Sequence, residues 1–104
     1  MSECMIYITT NSMKEAETIG QHLVSKRLAA CINIMDNMKS IYHWQSKIES
    51  ANEIIMIAKT KNELINELIE NVKGLHSYEC PCIVAFPIIG GNEDFLKWIR
   101  DETK

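Results

Sequence analysis

The stretch Glu53-Ile-Ile-Met-Ile-Ala-Lys59 decides the fold. Its central residues, Ile54–Ala58, are apolar without interruption. Because a β-strand sends successive side chains to opposite faces of its sheet, both faces of this strand need cover. A small domain can cover one face with its own helices, and the other face then needs a second layer.

The residues before this strand predict a long hairpin. Ala30–Met35 is predicted to begin the first strand of this hairpin. Asp36-Asn37 predicts a turn or bulge, since both side chains can bond nearby backbone. The alternation then resumes and ends at the polar turn Gln45-Ser46-Lys47. One face of the resumed strand carries Met38, Ser40, Tyr42 and Trp44.

Upstream of the hairpin, Cys4–Thr10 is rich in β-branched and aromatic residues, which predicts a strand. Ser12 followed by Glu15 has the capping-box spacing and predicts the start of a helix. The apolar residues after it recur at helical intervals. They are Met13, Ala16, Ile19, Leu23, Val24 and Leu28.

Downstream, Thr60 and Glu63 repeat the capping-box spacing, and Gly74 is placed to end that helix at its C′ position. Cys82–Phe86 predicts a last strand, which Pro87 confines to a sheet edge because proline cannot donate to the ladder. After a turn at Gly90-Gly91-Asn92, a short helix is expected to bury Phe95, Leu96, Trp98 and Ile99.

The predicted order is β-α-β-β-α-β-α over one domain, residues 1–104. Two β-α-β halves joined by a hairpin predict an α+β, ferredoxin-like split β-α-β sandwich. Right-handed crossovers place both long helices on one face of an antiparallel sheet. The other face of the sheet is then expected to be covered by another subunit.

Composition excludes several classes of protein. Eleven Lys and Arg against 14 Asp and Glu give a net charge of −3, which argues against nucleic acid as a partner. The longest apolar runs fall far short of the roughly 20 residues that a bilayer requires, so no membrane partner is expected. With no export signal at the start and four cysteines, the prediction is a cytoplasmic protein with free thiols.

Six blocks of sequence resemble the CutA divalent-cation tolerance family in order and spacing, from about Ile6 to the C-terminus. They are Arg27–Asn33, Ser40–Trp44, Glu53 with Lys59-Thr60, Leu75–Pro81, Pro87–Gly91 and Asp94–Trp98. The resemblance implies a ferredoxin-like subunit in a homotrimer that pairs long hairpin strands between subunits. It also implies a role in metal-ion tolerance, with copper as the metal usually attributed to the family.

Some positions depart from the pattern of that family. Ser46 stands where a glycine usually precedes Lys47, and Thr9 stands where some members carry a cysteine proposed as a ligand. Ser77 and Cys82 replace a proline and a carboxylate. A ligand set of cysteine, histidine and glutamate therefore does not transfer intact.

The candidate metal ligands are His76, Glu79, Cys80 and Cys82. Thiolates favour Cu(I) and zinc, imidazole favours copper and zinc, and a carboxylate is a harder auxiliary ligand. In an extended strand the two thiols would point to one face roughly 7 Å apart, so one metal could bridge them if the loop bends. The alternative is that both cysteines are small, half-buried apolar residues at a strand end.

A second candidate site is a cleft between subunits of the trimer that the resemblance implies. Its predicted residues are Tyr42, Trp44, Glu53, Lys59 and Tyr78. Lys59, next to the expected start of a helix at Thr60, would make a local positive site for a small anionic effector. This predicts, as an alternative function, a sensor resembling the PII type in which the cleft binds an effector or a partner protein. The competing interpretation is a Lys59–Glu53 ion pair with aromatic packing.

No enzymatic motif is present in the sequence. It contains no glycine-rich phosphate loop, no nucleophile elbow and no His-Glu-x-x-His helix. A small ferredoxin-like phosphatase would need an arginine near the first strand, and Thr9–Ser12 offers none. We therefore expect no catalysis and no required cofactor.

Overall fold

A computed structural model describes residues 2–104. Its strands are β1 (Glu3–Thr10), β2 (Cys31–Trp44), β3 (Lys47–Lys61) and β4 (Ile83–Pro87). Its helices are α1 (Met13–Ser25), α2 (Ile65–Leu75) and α3 (Glu93–Glu102). All strand pairs are antiparallel in the order β2-β3-β1-β4, with β4 at an edge. The predicted ferredoxin-like α+β fold and the edge position of the Pro87 strand are confirmed.

The core lies between the sheet and helices α1 and α2. Alternate residues of β1 and β3 face these helices, so Ile6, Ile8 and Met56 are fully buried. The helices contribute Ile19, Leu23, Leu68 and Val72. The Ser12 hydroxyl accepts a hydrogen bond from the Glu15 amide at 3.1 Å, which confirms the predicted start of α1.

The opposite side of the sheet, here called the open face, is also apolar. The register places Tyr7, Ile57 and Val84 side by side on it. Met35 and Phe86 on the same face are about half exposed. The two-sided apolar character predicted for Ile54–Ala58 is therefore present, and α1 and α2 cover only one of the two faces.

A β-bulge at Asp36-Asn37 redirects the hairpin formed by β2 and β3. Met35 pairs with Ile55 and Met38 pairs with Glu53, so β2 has one extra residue here, and Asn37 adopts a φ of 65°. Before the bulge, the even-numbered residues of β2 face the helices. After it, even-numbered residues from Met38 onward face the open side. The sequence predicted a turn or bulge, and the bulge is confirmed.

The hairpin ends in a tight turn between the paired residues Trp44 and Lys47. Gln45 and Ser46 both have positive φ angles, 49° and 66°, as a two-residue type I′ turn requires. Glycine is favoured at such positions, so Ser46 occupies a backbone conformation that the usual family residue would adopt more easily.

The start and end of α2 differ from the prediction. Strand β3 continues through Lys61 because it pairs with β1 along its whole end, and the Thr60 hydroxyl donates to the Leu28 carbonyl at 2.6 Å instead of capping a helix. A single 3₁₀ turn, Asn62–Leu64, then precedes α2. Gly74 lies inside α2, whose last residue is Leu75, and His76 follows as the C-cap in an extended conformation. Gly74 is therefore not the C′ residue.

Helix α3 begins as predicted, because the Asn92 side chain accepts a hydrogen bond from the Asp94 amide at 2.9 Å. Leu96 and Ile99 are buried, but Phe95 and Trp98 are about two-fifths exposed and pack on each other with ring centroids 5.5 Å apart. The expectation that all four are buried is wrong for these two aromatic residues. None of the helices in residues 2–104 has the length and apolar content needed to cross a bilayer.

Candidate functional site

A cavity of about 750 Å³ lies between the hairpin and the loop of residues 76–82 that joins α2 to β4. Tyr7 and Thr9 of β1 line it from the open face of the sheet. The other lining residues come from the hairpin and the loop: Met38, Lys39, Ser40, Ile41, Tyr42, Trp44, Glu53, Ser77, Tyr78, Glu79, Cys80 and Cys82.

His76 holds the loop wall of this cavity in place. Its side chain is completely buried, and its Nε2 lies 2.7 Å from the Thr9 carbonyl oxygen. A carbonyl can only accept, so Nε2 carries the proton. The Tyr78 amide donates to Nδ1 at 3.0 Å, so that nitrogen is unprotonated and the imidazole is neutral. Nε2 thus ties the loop to β1, and Nδ1 holds the loop to its own backbone at Tyr78.

Glu15 ties the same loop to α1. Its Oε2 accepts a hydrogen bond from the Ser77 amide at 3.0 Å. In a full capping box this carboxylate would return to the amide of Ser12. Instead it bonds a residue 62 positions away, and its buried Oε1 lies 3.9 Å from His76 Nδ1 with no hydrogen-bond partner among the described residues. The first turn of α1 therefore also holds the loop wall of the cavity in place.

Glu53 is a nearly buried carboxylate in the lining of the cavity. It is only 7% exposed, and its Oε2 accepts a hydrogen bond from the Tyr78 hydroxyl at 2.7 Å. Burial and this hydrogen bond raise the pKa of Tyr78. Burial, followed by the charge of Glu53, also raises the pKa of the Cys82 thiol, and a hydrogen bond with Thr9 offsets part of that rise. The phenol and the thiol therefore remain protonated at neutral pH.

The structure does not gather the four predicted metal ligands. His76 is buried with both nitrogens hydrogen-bonded, whereas Glu79, Cys80 and Cys82 are exposed at the cavity. Within residues 2–104, no group of three or more His, Cys, Asp or Glu side chains is arranged to hold a metal ion. His76 is thus unsuited to ligation, because binding a metal would break a buried hydrogen bond. All four cysteines are free thiols.

Four of the five predicted cleft residues do come together. Tyr42, Trp44, Glu53 and Tyr78 all line the cavity. Lys59 lies outside it, since its ammonium group donates to the Asn33 side chain on the neighbouring strand. The expected Lys59–Glu53 ion pair is also not formed. The positive residue predicted for this site is therefore separate from it.

Sequence reasoning missed Tyr7 and Met38 as members of the site. The Tyr7 hydroxyl donates to Met38 Sδ at 3.4 Å and so links β1 to the hairpin across the cavity floor. In the structure Tyr7 lies on the face opposite α1 and α2, and the bulge brings Met38 to that same face. The signal in the sequence is the extra residue at Asp36-Asn37, which shifts the alternation so that Met38 shares a face with Tyr7.

Comparison with known proteins gives concordant results. The family model described as CutA1 divalent ion tolerance protein matches residues 4–102. A divalent-cation tolerance protein CutA from Archaeoglobus fulgidus is 51% identical over 98 residues, covering 94% of each chain. The human Protein CutA is 38% identical over 98 residues, covering 94% of this chain and 55% of that protein.

Solved structures agree with the sequence comparisons. A Thermus thermophilus divalent cation tolerance protein superposes with a TM-score of 0.96 at 42% identity, covering 98% of this chain and 99% of that one. The A. fulgidus CutA structure, described as a periplasmic divalent cation tolerance protein, gives a TM-score of 0.95 at 46% identity, covering 98% and 99%. With the fold and nearly the whole sequence in agreement, this chain belongs to the CutA1 divalent ion tolerance family.

Proposed function

We propose that this protein acts in metal-ion tolerance without catalysis, and that copper is a cargo ion contacted by the Cys80 and Cys82 thiols. The observation that carries the proposal is the pair of exposed free thiols at the cavity, separated by one residue. Soft thiolates select Cu(I) over harder cations. His76 is left out of this ligand set because its ring is already fully hydrogen-bonded.

Copper affinity is expected to depend on both thiols and on pH. Binding as a thiolate displaces a proton, and the pKa of Cys82 is raised by burial and by Glu53, so affinity should be higher at pH 8 than at pH 6.5. Anaerobic titration with Cu(I) against a competing chelator, and with Cu(II) in air, measures this. The double substitution Cys80→Ser/Cys82→Ser should weaken binding by at least about tenfold.

The matched control for that titration is Cys31→Ser, which removes a half-buried thiol on β2 outside the cavity. It should leave copper affinity unchanged. Equal affinity in the wild-type protein and the double variant would show that the thiols are not the site.

We further propose that the protein is a homotrimer, as its resemblance to the family implies. Support comes from apolar residues that lie outside the cavity. Met35, Val84 and Phe86 on the open face are 44–50% exposed, and Ile48 at the hairpin end is 72% exposed. Such residues are costly to leave in water when they form a contiguous patch, and association would bury them.

Light scattering should give a mass three times that of the 11.9 kDa chain at micromolar concentration. Replacing Ile48 by lysine should lower that mass, because a charge would be buried at the subunit interface. Val24→Lys, an exposed apolar residue on the outer surface of α1, is the control and should leave the trimer intact. A monomeric wild-type protein would contradict the proposal.

A second candidate function is a sensor in which the cavity binds a small effector. The specific observation in its favour is the cavity itself, whose 750 Å³ volume lies within the range of small-molecule sites.

Cytoplasmic location stays a prediction, supported by the four free cysteines. The net charge of −3 supports the prediction that the protein has no nucleic-acid partner.

A further inference from the structure

Four aromatic side chains surround the cavity. Tyr7 lies on its floor, Tyr42 and Trp44 come from the hairpin, and Tyr78 comes from the loop of residues 76–82. The face of an aromatic ring carries negative potential, and Trp and Tyr attract a cation placed over it. An anion placed over such a ring face is repelled.

The charged groups at the cavity also favour a positively charged ligand. Glu53 and Glu79 contribute two carboxylates, and the exposed Lys39 contributes one ammonium group, so the lining is net negative by one charge. Lys59, the residue that would have favoured an anion, is hydrogen-bonded to Asn33 outside the cavity. The whole chain is also acidic, with a net charge of −3.

Glu53 is placed to act as a counter-ion. Its carboxylate is almost fully buried, and Oε2 accepts a single hydrogen bond, from Tyr78. A buried carboxylate is costly unless a cation or several donors accompany it. The neighbouring Tyr7, Tyr78 and Cys82 cannot carry a positive charge in any protonation state. Burial and, in part, Glu53 itself raise the pKa of each, so they stay neutral and leave the carboxylate without a counter-charge.

We propose that the cavity binds an organic cation, a substituted or quaternary ammonium group held against Glu53 and enclosed by the rings of Tyr42, Trp44 and Tyr78. This inference rests on the second proposed function, the effector sensor, and names the chemical class of its ligand. The proposed ligand is a cation, whereas the sequence predicted a small anionic effector at this site. The quaternary ammonium also differs from a copper ion in needing no thiolate, so the two sites are separable by substitution.

Three probes of nearly the same shape test which charge the ligand carries. Choline carries a quaternary nitrogen, 3,3-dimethylbutan-1-ol replaces that nitrogen with carbon, and 3,3-dimethylbutanoate is the anion. NMR titration of the full-length protein follows the two tryptophan indole signals separately. We expect choline to shift the Trp44 signal with a Kd at least about tenfold lower than that of the alcohol. The signal of Trp98, on α3 and outside the cavity, should not move.

Substitutions then assign the site. Glu53→Gln should weaken choline binding about tenfold and leave binding of the neutral alcohol unchanged. Should Glu53→Gln disturb folding, Trp44→Leu on the exposed hairpin serves instead, with Trp98→Leu as its matched control. Choline binding to these two variants is measured by isothermal titration calorimetry, because each substitution removes one of the indole signals. Loss of choline binding only in the Trp44 variant supports the proposal.

The outcomes distinguish this inference from the function on which it rests. If the alcohol or the anion binds as tightly as choline, the organic-cation inference is wrong while the effector function stands. If none of the three probes binds, the organic-cation inference is overturned. Retention of choline affinity in the Glu53 and Trp44 variants would place the cation elsewhere and also overturn the inference.

Discussion

Replacing Leu68 by alanine is expected to lower the free energy of unfolding by about 3 kcal/mol. Leu68 is fully buried on α2, in the core cluster that includes Ile8 and Met56 of the sheet. The substitution removes apolar contacts and leaves a cavity that close-packed neighbours fill only in part. Denaturant unfolding followed by circular dichroism, at a fixed protomer concentration, measures the change.

The matched control is Leu75→Ala, the same chemical change on the same helix. Leu75 is 39% exposed at the last residue of α2, so its loss should cost less than about 1 kcal/mol. Equal destabilisation by the two substitutions would contradict the position of the core described above.

Replacing His76 by alanine is expected to cost roughly 3 kcal/mol and to free the loop of residues 76–82. The change removes the hydrogen bonds with the Thr9 carbonyl and the Tyr78 amide, and leaves the buried carbonyl without its partner. Because the same loop forms one wall of the cavity, amide hydrogen exchange at Ser77 and Tyr78 should speed up more than exchange in β1.

His43→Ala provides the control, since His43 is exposed on the hairpin. It should change stability by no more than about 0.5 kcal/mol and leave exchange in the loop unchanged. If His76→Ala left exchange at Ser77 and Tyr78 as slow as in the wild-type protein, the anchoring role of this histidine would be refuted. Slow exchange would then have to come from Glu15 alone.

Part of the candidate site followed from the sequence. Tyr42, Trp44, Glu53 and Tyr78 were assigned to one cleft, and the structure places them at one cavity. Lys59 was assigned there with them from the trimer that the resemblance implies, and a helix expected to begin at Thr60 was to strengthen its positive potential. That helix begins later, since β3 continues in register with β1 through Lys61.

His76 and Glu15 were each identified by a pattern and given the wrong neighbours. The His76–Cys82 spacing suggested a metal site, and Ser12 with Glu15 suggested a closed capping box. In the structure, Glu15 instead bonds the Ser77 amide, and His76 bonds β1. Hydrogen bonds between residues more than 60 positions apart depend on how the elements pack, which local spacing does not contain.

The sequence by itself determined the strands and helices, the two-sided apolar strand at Ile54–Ala58 and the family, because each of these depends on local periodicity or on ordered blocks of residues. Only the tertiary structure decided which residues meet at the cavity. The extra residue at Asp36-Asn37 turns Met38, Tyr42 and Trp44 to the open face, and His76 then fixes the opposite wall. A one-residue shift in strand pairing exchanges the two faces of a sheet, so the composition of the site depends on pairing between distant segments.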